Sequence, residues 1–225
     1  MNLNFSLYYK RILPKLSTML FYRPLMIVTV DMYKSEEFKR RFESGDREGA
    51  FKLGGRIPLQ LTLEEEIPGW VDTYNPVEVH ISVTRFFESS FKHIYIDLDA
   101  SPAIGLMTVF DYAKGLSEYV LKKEGVQSLR MVFTGNRGFH FHVELSKRLS
   151  TEEVTGFMQE VQEYKEPFIG KIDMGVNVPN HSIRLPYSYN LKGNKFAFYV
   201  DKLNEFSEDI AQDWSDHLYK GVMGE

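Results

Sequence analysis

Apolar and polar positions alternate with period two in several short runs and recur with helical spacing in others. Strands are predicted over Arg23 to Val30, Val77 to Thr84, Ile94 to Leu98, Leu129 to Phe133, Phe139 to Leu145 and Lys195 to Val200. The run Ile94 to Leu98 is apolar enough to be a central strand. Phe5, Tyr8, Tyr9, Ile12, Leu13, Leu16 and Leu20 have helical spacing, and Pro14 must kink or split that helix. Ser35 to Phe42 reads as a short helix with Ser35 as N-cap and a basic side. Leu106, Phe110, Ala113, Leu116 and Val120 mark an amphipathic helix within Ala103 to Glu124, stopped by Gly125. Ser150 and Glu153 form a capping box that opens a second helix, running to Tyr164. A terminal helix spans Ser207 to Leu218. The charged stretch from Gly45 to Gly55 is irregular, with room for a short strand at Ala50 to Leu53. Glu64, Glu65 and Glu66 form a solvated face. Residues 165–195, rich in glycine, proline and asparagine, read as loop with short strands. Helices and strands mix without strict alternation, which predicts an α/β (α+β) fold around a mixed sheet.

Composition narrows the class. The 225 residues are 43% hydrophobic and 26% charged, enough for a sizeable core in one domain or two closely packed lobes. There is no cysteine, which excludes disulfides and cysteine-ligated zinc or iron–sulfur sites. That fits a cytoplasmic protein. No apolar run approaches the roughly 18–20 residues of a membrane span, so no membrane association is expected. The first residues are polar and aromatic, unlike a signal sequence. The formal net charge of −4 does not advertise nucleic-acid binding, although a basic groove can sit on an acidic protein.

Candidate chemistry gathers at four places. Thr134-Gly135-Asn136-Arg137-Gly138-Phe139-His140 lies between two strands as a tight turn, with glycines suited to positive φ and to close approach of a ligand. Its hydroxyl, backbone amides, arginine and histidine suit a phosphate chain. A hairpin turn with a solvent-facing arginine explains the same residues without a ligand. Asp97 and Asp99, two apart on a strand, share one side, where oxygen donors suit Mg²⁺ or Mn²⁺. Strand-end aspartates facing water are the alternative. Asp173 stands in a glycine-rich region as a turn residue or a third carboxylate. Arg184 and Lys192 lie in a turn-rich loop, as surface charges or phosphate contacts. Phe139 and Phe141 should pack on the face opposite His140, and His142 reads as a satisfied structural histidine.

In order, an hDhD strand, a [ST]GxRGxH turn, an hD segment and Ser182-Ile183-Arg184-Leu185-Pro186 followed by Lys192 resemble the archaeo-eukaryotic primase superfamily, in particular the catalytic small subunit of DNA primase. Tyr8-Tyr9 and the segment Val79 to Arg85 look like that family's N-terminal half. The resemblance implies one catalytic domain over 1–225, a primase-polymerase core with lobes at about 1–90 and 91–225. It implies metal binding by Asp97, Asp99 and Asp173, and nucleotide binding by Thr134, Gly135, Arg137, Gly138, His140, Arg184 and Lys192. The implied activity is metal-dependent, template-directed nucleotidyl transfer that makes short primers. Its cofactors would be two Mg²⁺ or Mn²⁺ ions and no zinc. Its partners would be single-stranded DNA, nucleoside triphosphates, and a primase large subunit or other replication proteins. Thr134 replaces the usual serine, Asn190 stands where histidine is common, and the zinc module is missing. That implies a minimal or divergent member, archaeal, plasmid-borne or viral.

Rival classes make different demands. His80-Ile81-Ser82-Val83 fits half of a two-histidine phosphoesterase motif, but the second copy at His140-Phe141-His142 has histidine where serine or threonine belongs. A metal-dependent nuclease could use the same carboxylates. A non-catalytic replication subunit could keep the fold, and metal-dependent nucleotide binding separates that class from the enzymes.

Overall fold

The structure is a computed structural model that describes residues 3–20, 23–29, 36–46, 57–60, 64–85, 88–100, 103–164, 171–178, 181–201 and 206–224. The cap at Ser35, the short strand at Ala50 to Leu53 and the end of the first strand at Val30 fall outside them.

Two antiparallel sheets form the frame. In the first, β1 (Pro24–Thr29) lies between β2 (Ile57–Gln60) and β3 (Pro76–Ser82), and β8 (Ser182–Arg184) joins the free edge of β3. The second holds β4 (Phe91–Asp99), β5 (Val126–Phe133), β6 (Gly138–Leu149), β7 (Lys171–Ile172) and β11 (Phe198–Tyr199), in the order β11-β5-β6-β4-β7. A third pair joins β9 (Tyr189–Asn190) to β10 (Lys195–Phe196).

The second sheet has one apolar and one polar face because its strands alternate. Ile94, Ile96 and Leu98 of β4 and Phe139, Phe141 and Val143 of β6 are buried. Helices Leu106–Leu121 and Thr151–Gln162 cover that face. Each such side chain stabilises the fold by about 1.5–3 kcal/mol on burial. The first of these helices is shorter than the sequence predicts, because the chain at Gly105 is extended. The second begins at the predicted capping box: Ser150 Oγ accepts from Glu153 N at 3.2 Å, and Ser150 N donates to Glu153 Oε2 at 2.8 Å.

At the N-terminus Pro14 splits the helical run as predicted. Helix Phe5–Ile12 gives way to a 3₁₀ turn at Leu13–Leu16 and a last helical turn at Ser17–Leu20. This segment packs on the terminal helix Glu208–Met223. Lys195 to Val200 is not one strand. Ala197 turns away to exchange hydrogen bonds with the 187–188 loop (Tyr187 N to Ala197 O 2.7 Å, Ala197 N to Ser188 O 2.8 Å), so Lys195–Phe196 and Phe198–Tyr199 pair with different partners.

Candidate active site

Strand register gathers the carboxylates. On β4 and β6, Asp97 lies opposite His140 and Asp99 opposite Gly138. On the other edge of β4, Leu98 pairs with Ile172, and Asp173 N donates to Asp97 O at 2.9 Å. Opposed residues of an antiparallel ladder project to the same face. Asp97 therefore stands between His140 and Asp173, with Asp99 one step farther along the strand. Phe139 and Phe141 point the other way, into the core.

The electrostatics are those of crowded like charges. Asp97 Oδ1 lies 3.2 Å from His140 Nε2, an ion-pair distance. Asp97 Oδ1 and His140 Nδ1 are both buried without a hydrogen-bond partner. Burial works against the Asp97 carboxylate, but the charges of His140, His181 and Arg184 hold its pKa below the ordinary value. Asp99 goes the other way: burial, then the charges of Asp97 and Asp173, push its pKa up. Asp173 Oδ1 accepts from Gly175 N at 2.9 Å. With Asp97 turned to His140 and Asp173 to its own turn, no three acidic or histidine ligands converge on one point among the described residues.

The glycine turn is braced from inside. Thr134 donates both its N–H and its hydroxyl to Gly138 O, at 3.0 and 3.1 Å. Gly135 has φ +82°, as a tight glycine turn requires. Gly138 does not share that backbone, contrary to the sequence expectation. It is needed because a Cβ there would lie 2.6 Å from Leu98 O and 2.9 Å from Asp99 Oδ1. Asn190 ties the turn to the next loop: its Nδ2 donates to Thr134 O at 2.8 Å, and its Oδ1 accepts from Lys192 N and Gly193 N. Lys192 is exposed, and its charge favours the ionised form of Asp99. Arg137 is exposed and lines a separate cleft of about 380 Å³ with Asn136, Lys195 and the start of helix Leu106–Leu121.

Two further residues join the set. Arg184 pairs in register with His80 across β3 and β8. Glu78, 3% exposed, accepts from Leu191 N at 2.7 Å, shares a hydrogen bond with His80 Nε2 at 3.3 Å and forms an ion pair with Arg184 Nη1 at 3.1 Å. Burial opposes the Glu78 carboxylate, but the His80 hydrogen bond and the Arg184 charge hold its pKa at about 2. Glu78 was not among the candidates read from the sequence, and His80 appeared there as half of a phosphoesterase motif and within the family-like segment Val79 to Arg85, with no site role. Polar residues two apart in an apolar strand are the signal that could have found them. His142, expected to be satisfied, packs edge-on against Tyr95 (5.0 Å) and Tyr199 (6.0 Å), with Nε2 unpartnered.

The profile of the LigD primase-polymerase domain family matches residues 3–168. No curated protein matches the sequence. Among solved structures, the polymerase domain of Mycobacterium tuberculosis ligase D in complex with DNA superposes with a TM-score of 0.66 at 14% identity, covering 97% of this chain and 87% of its own. The primase-polymerase (AEP) domain of cyanophage S-2L gives a TM-score of 0.52 at 12% identity, covering 91% and 96%. At these identities the likeness is one of fold. It extends past residue 168, over the part of the chain that carries Asp173, Arg184 and Lys192.

Proposed function

Because this chain belongs to the LigD primase-polymerase domain family, we propose that it is a nucleotidyltransferase that copies a DNA template, making short primers on single strands. One observation carries this reading: β4, β6 and β7 pair in a register that brings Asp97, Asp99, Asp173 and His140 to one end of one sheet face. The DNA held by the similar ligase D polymerase domain supports DNA as the template.

The chemistry of the donor set suits divalent cations. The three carboxylates offer only hard oxygen donors, which suit Mg²⁺ or Mn²⁺. Asp97 Oδ1 is buried without a hydrogen bond, and Asp99 resists ionisation beside its neighbours. Positive charge relieves both. Asp97, Asp99 and Asp173 are the residues that would hold the metals, which when bound lower the pKa of the attacking 3′-hydroxyl and steady the leaving oxygens.

The remaining residues bind and orient the nucleotide. The amides of the glycine turn and His140 take the β- and γ-phosphates, Arg184 and Lys192 complete the cradle, and Arg137 reaches them by swinging over the turn from the neighbouring cleft. Glu78 aims Arg184 and, through Leu191 N, fixes the start of the Lys192 loop. The reaction joins the 3′-oxygen to the α-phosphorus and expels pyrophosphate.

Calorimetric titration with a nucleoside triphosphate, with and without Mn²⁺, tests the reading. Binding that requires the metal and is lost in Asp99→Asn supports it. Triphosphate binding indifferent to metal and to Asp99→Asn contradicts it and favours a non-catalytic subunit.

A further inference from the structure

Two buried phenols of helix Phe5–Ile12 reach the loop that carries Arg184 and Lys192. Tyr8 and Tyr9 are both fully buried. Tyr8 OH donates to Tyr187 O at 2.8 Å. Tyr9 OH donates to Val77 O of β3 and accepts from Tyr189 N at 3.1 Å. Ser188 Oγ accepts from Val79 N of β3 at 2.7 Å and lies 3.4 Å from Tyr9 OH. Burying a hydroxyl is costly unless it is paired, and phenylalanine would fill the same core without one. What the hydroxyls add is a hold on three consecutive residues, Tyr187, Ser188 and Tyr189.

Those residues form a bend that needs holding. Tyr187 has φ +68°, a left-handed backbone that a bulky side chain rarely adopts. A strained bend of this kind persists only where its surroundings over-determine it. Here Tyr187 N donates to Ala197 O at 2.7 Å, Ser188 N donates to Leu185 O at 3.0 Å, and Tyr8 takes the Tyr187 carbonyl. The bend in turn sets two residues of the cradle. Arg184 Nη1 donates to Tyr189 O at 2.8 Å, so Tyr189 is held by Tyr9 through its N–H and holds Arg184 through its carbonyl. The next residue, Asn190, ties the glycine turn to the Lys192 loop. From this we infer that Tyr8 and Tyr9 are positioning residues of the nucleotide cradle. Their hydroxyls lock the Tyr187 bend, and the bend fixes Arg184 and Asn190 where a triphosphate meets them. Being fully buried, neither phenol touches the nucleotide itself. The inference rests on the reading of this cradle as a triphosphate site; the lock on the bend does not.

The test uses Tyr8→Phe and Tyr9→Phe, which keep the ring and remove the hydroxyl. Titration with ATP and with AMP, each with Mn²⁺ and well below the unfolding temperature, gives the ratio of the two affinities. ATP affinity should fall roughly 3- to 10-fold in each variant, the worth of one neutral hydrogen bond. AMP affinity, and the affinity of the free protein for Mn²⁺ alone, should stay within about twofold of wild type. A purely structural role would lower stability and leave the ATP-to-AMP ratio as it is. Amide hydrogen exchange supplies a reading independent of any nucleotide: the amides of Tyr187, Ser188 and Tyr189 should exchange faster in the variants, while those of β4 and β6 keep their protection. Ser188→Ala, which removes the acceptor of Val79 N, should lower the ratio in the same sense and serves if a tyrosine variant misfolds. A wild-type ratio in the variants, with or without faster exchange, would overturn the inference and leave the functional reading intact. Failure of the wild type to bind ATP would overturn both, and it shows before any substitution is made.

Discussion

Glu78 meets Arg184, His80 and the Leu191 amide with two oxygens in a buried strand. Its pKa falls from an ordinary 4.5 to about 2 on folding. A carboxylate depressed in this way stabilises the fold above its unfolded pKa, and that contribution is lost as pH falls through the folded value. Stability should therefore decline between about pH 4.5 and 2, by on the order of 3 kcal/mol from this group. Glu78→Gln should be less stable at neutral pH and flatter across that window, as read from urea midpoints against pH. An unchanged slope would show that other carboxylates govern acid unfolding. At the nucleotide end, His140→Ala should weaken triphosphate binding by roughly 10- to 150-fold, the worth of one charge-assisted hydrogen bond at about 1.5–3 kcal/mol. Single-stranded DNA affinity, measured by anisotropy, should barely move. A variant that loses DNA and keeps triphosphate would reverse the assignment. Asp97 and Asp99 were legible in the sequence because a two-residue spacing on a strand dictates a shared face. Glu78 was not, because its partner Arg184 is distant in sequence and only the β3–β8 pairing brings them together.

Among the elements, the helix start at Ser150 and the glycine hairpin were the most readable, since both rest on local chemistry. The Ser150–Glu153 box lies within four consecutive residues. Ser150→Ala should cost about 1 kcal/mol in urea unfolding, with triphosphate affinity unchanged. Lys195 to Val200 misled because its alternation fits one strand, whereas competing hydrogen bonds to the 187–188 loop divide it. Gly138 is required for a reason the turn pattern does not show. Its requirement is the close approach of β6 to β4, which involves a strand distant in sequence. Gly138→Ala should force Leu98 and Asp99 away, costing about 1–3 kcal/mol, and should damage triphosphate binding beyond that loss of stability. Binding equal to wild type in the folded fraction would show that this approach does not position the carboxylates.

For the whole molecule, the two sheets are fastened at the site. Arg23 spans from the carbonyls of Ser82 and Val83 to Tyr95 OH, and Asn177, in the stretch between β7 and β8, is anchored to β4 by two hydrogen bonds with the Tyr95 backbone (2.7 and 2.6 Å). The fold class was legible because the polar and apolar faces of β4 and β6 are written in alternation. The third carboxylate was harder to place, since β7 is two residues long and gains meaning only from the edge of β4. On the proposed reading, Asp97, Asp99 and Asp173 carry the nucleotide transfer. The most direct measurement is extension of a primed DNA template, with Mg²⁺ or Mn²⁺ and one nucleoside triphosphate at a time, by wild type and by folded Asp97→Asn and Asp99→Asn. Wild type should add the nucleotide complementary to the template base, EDTA should stop the reaction, and neither variant should extend. Extension by either variant at near the wild-type rate would contradict that reading.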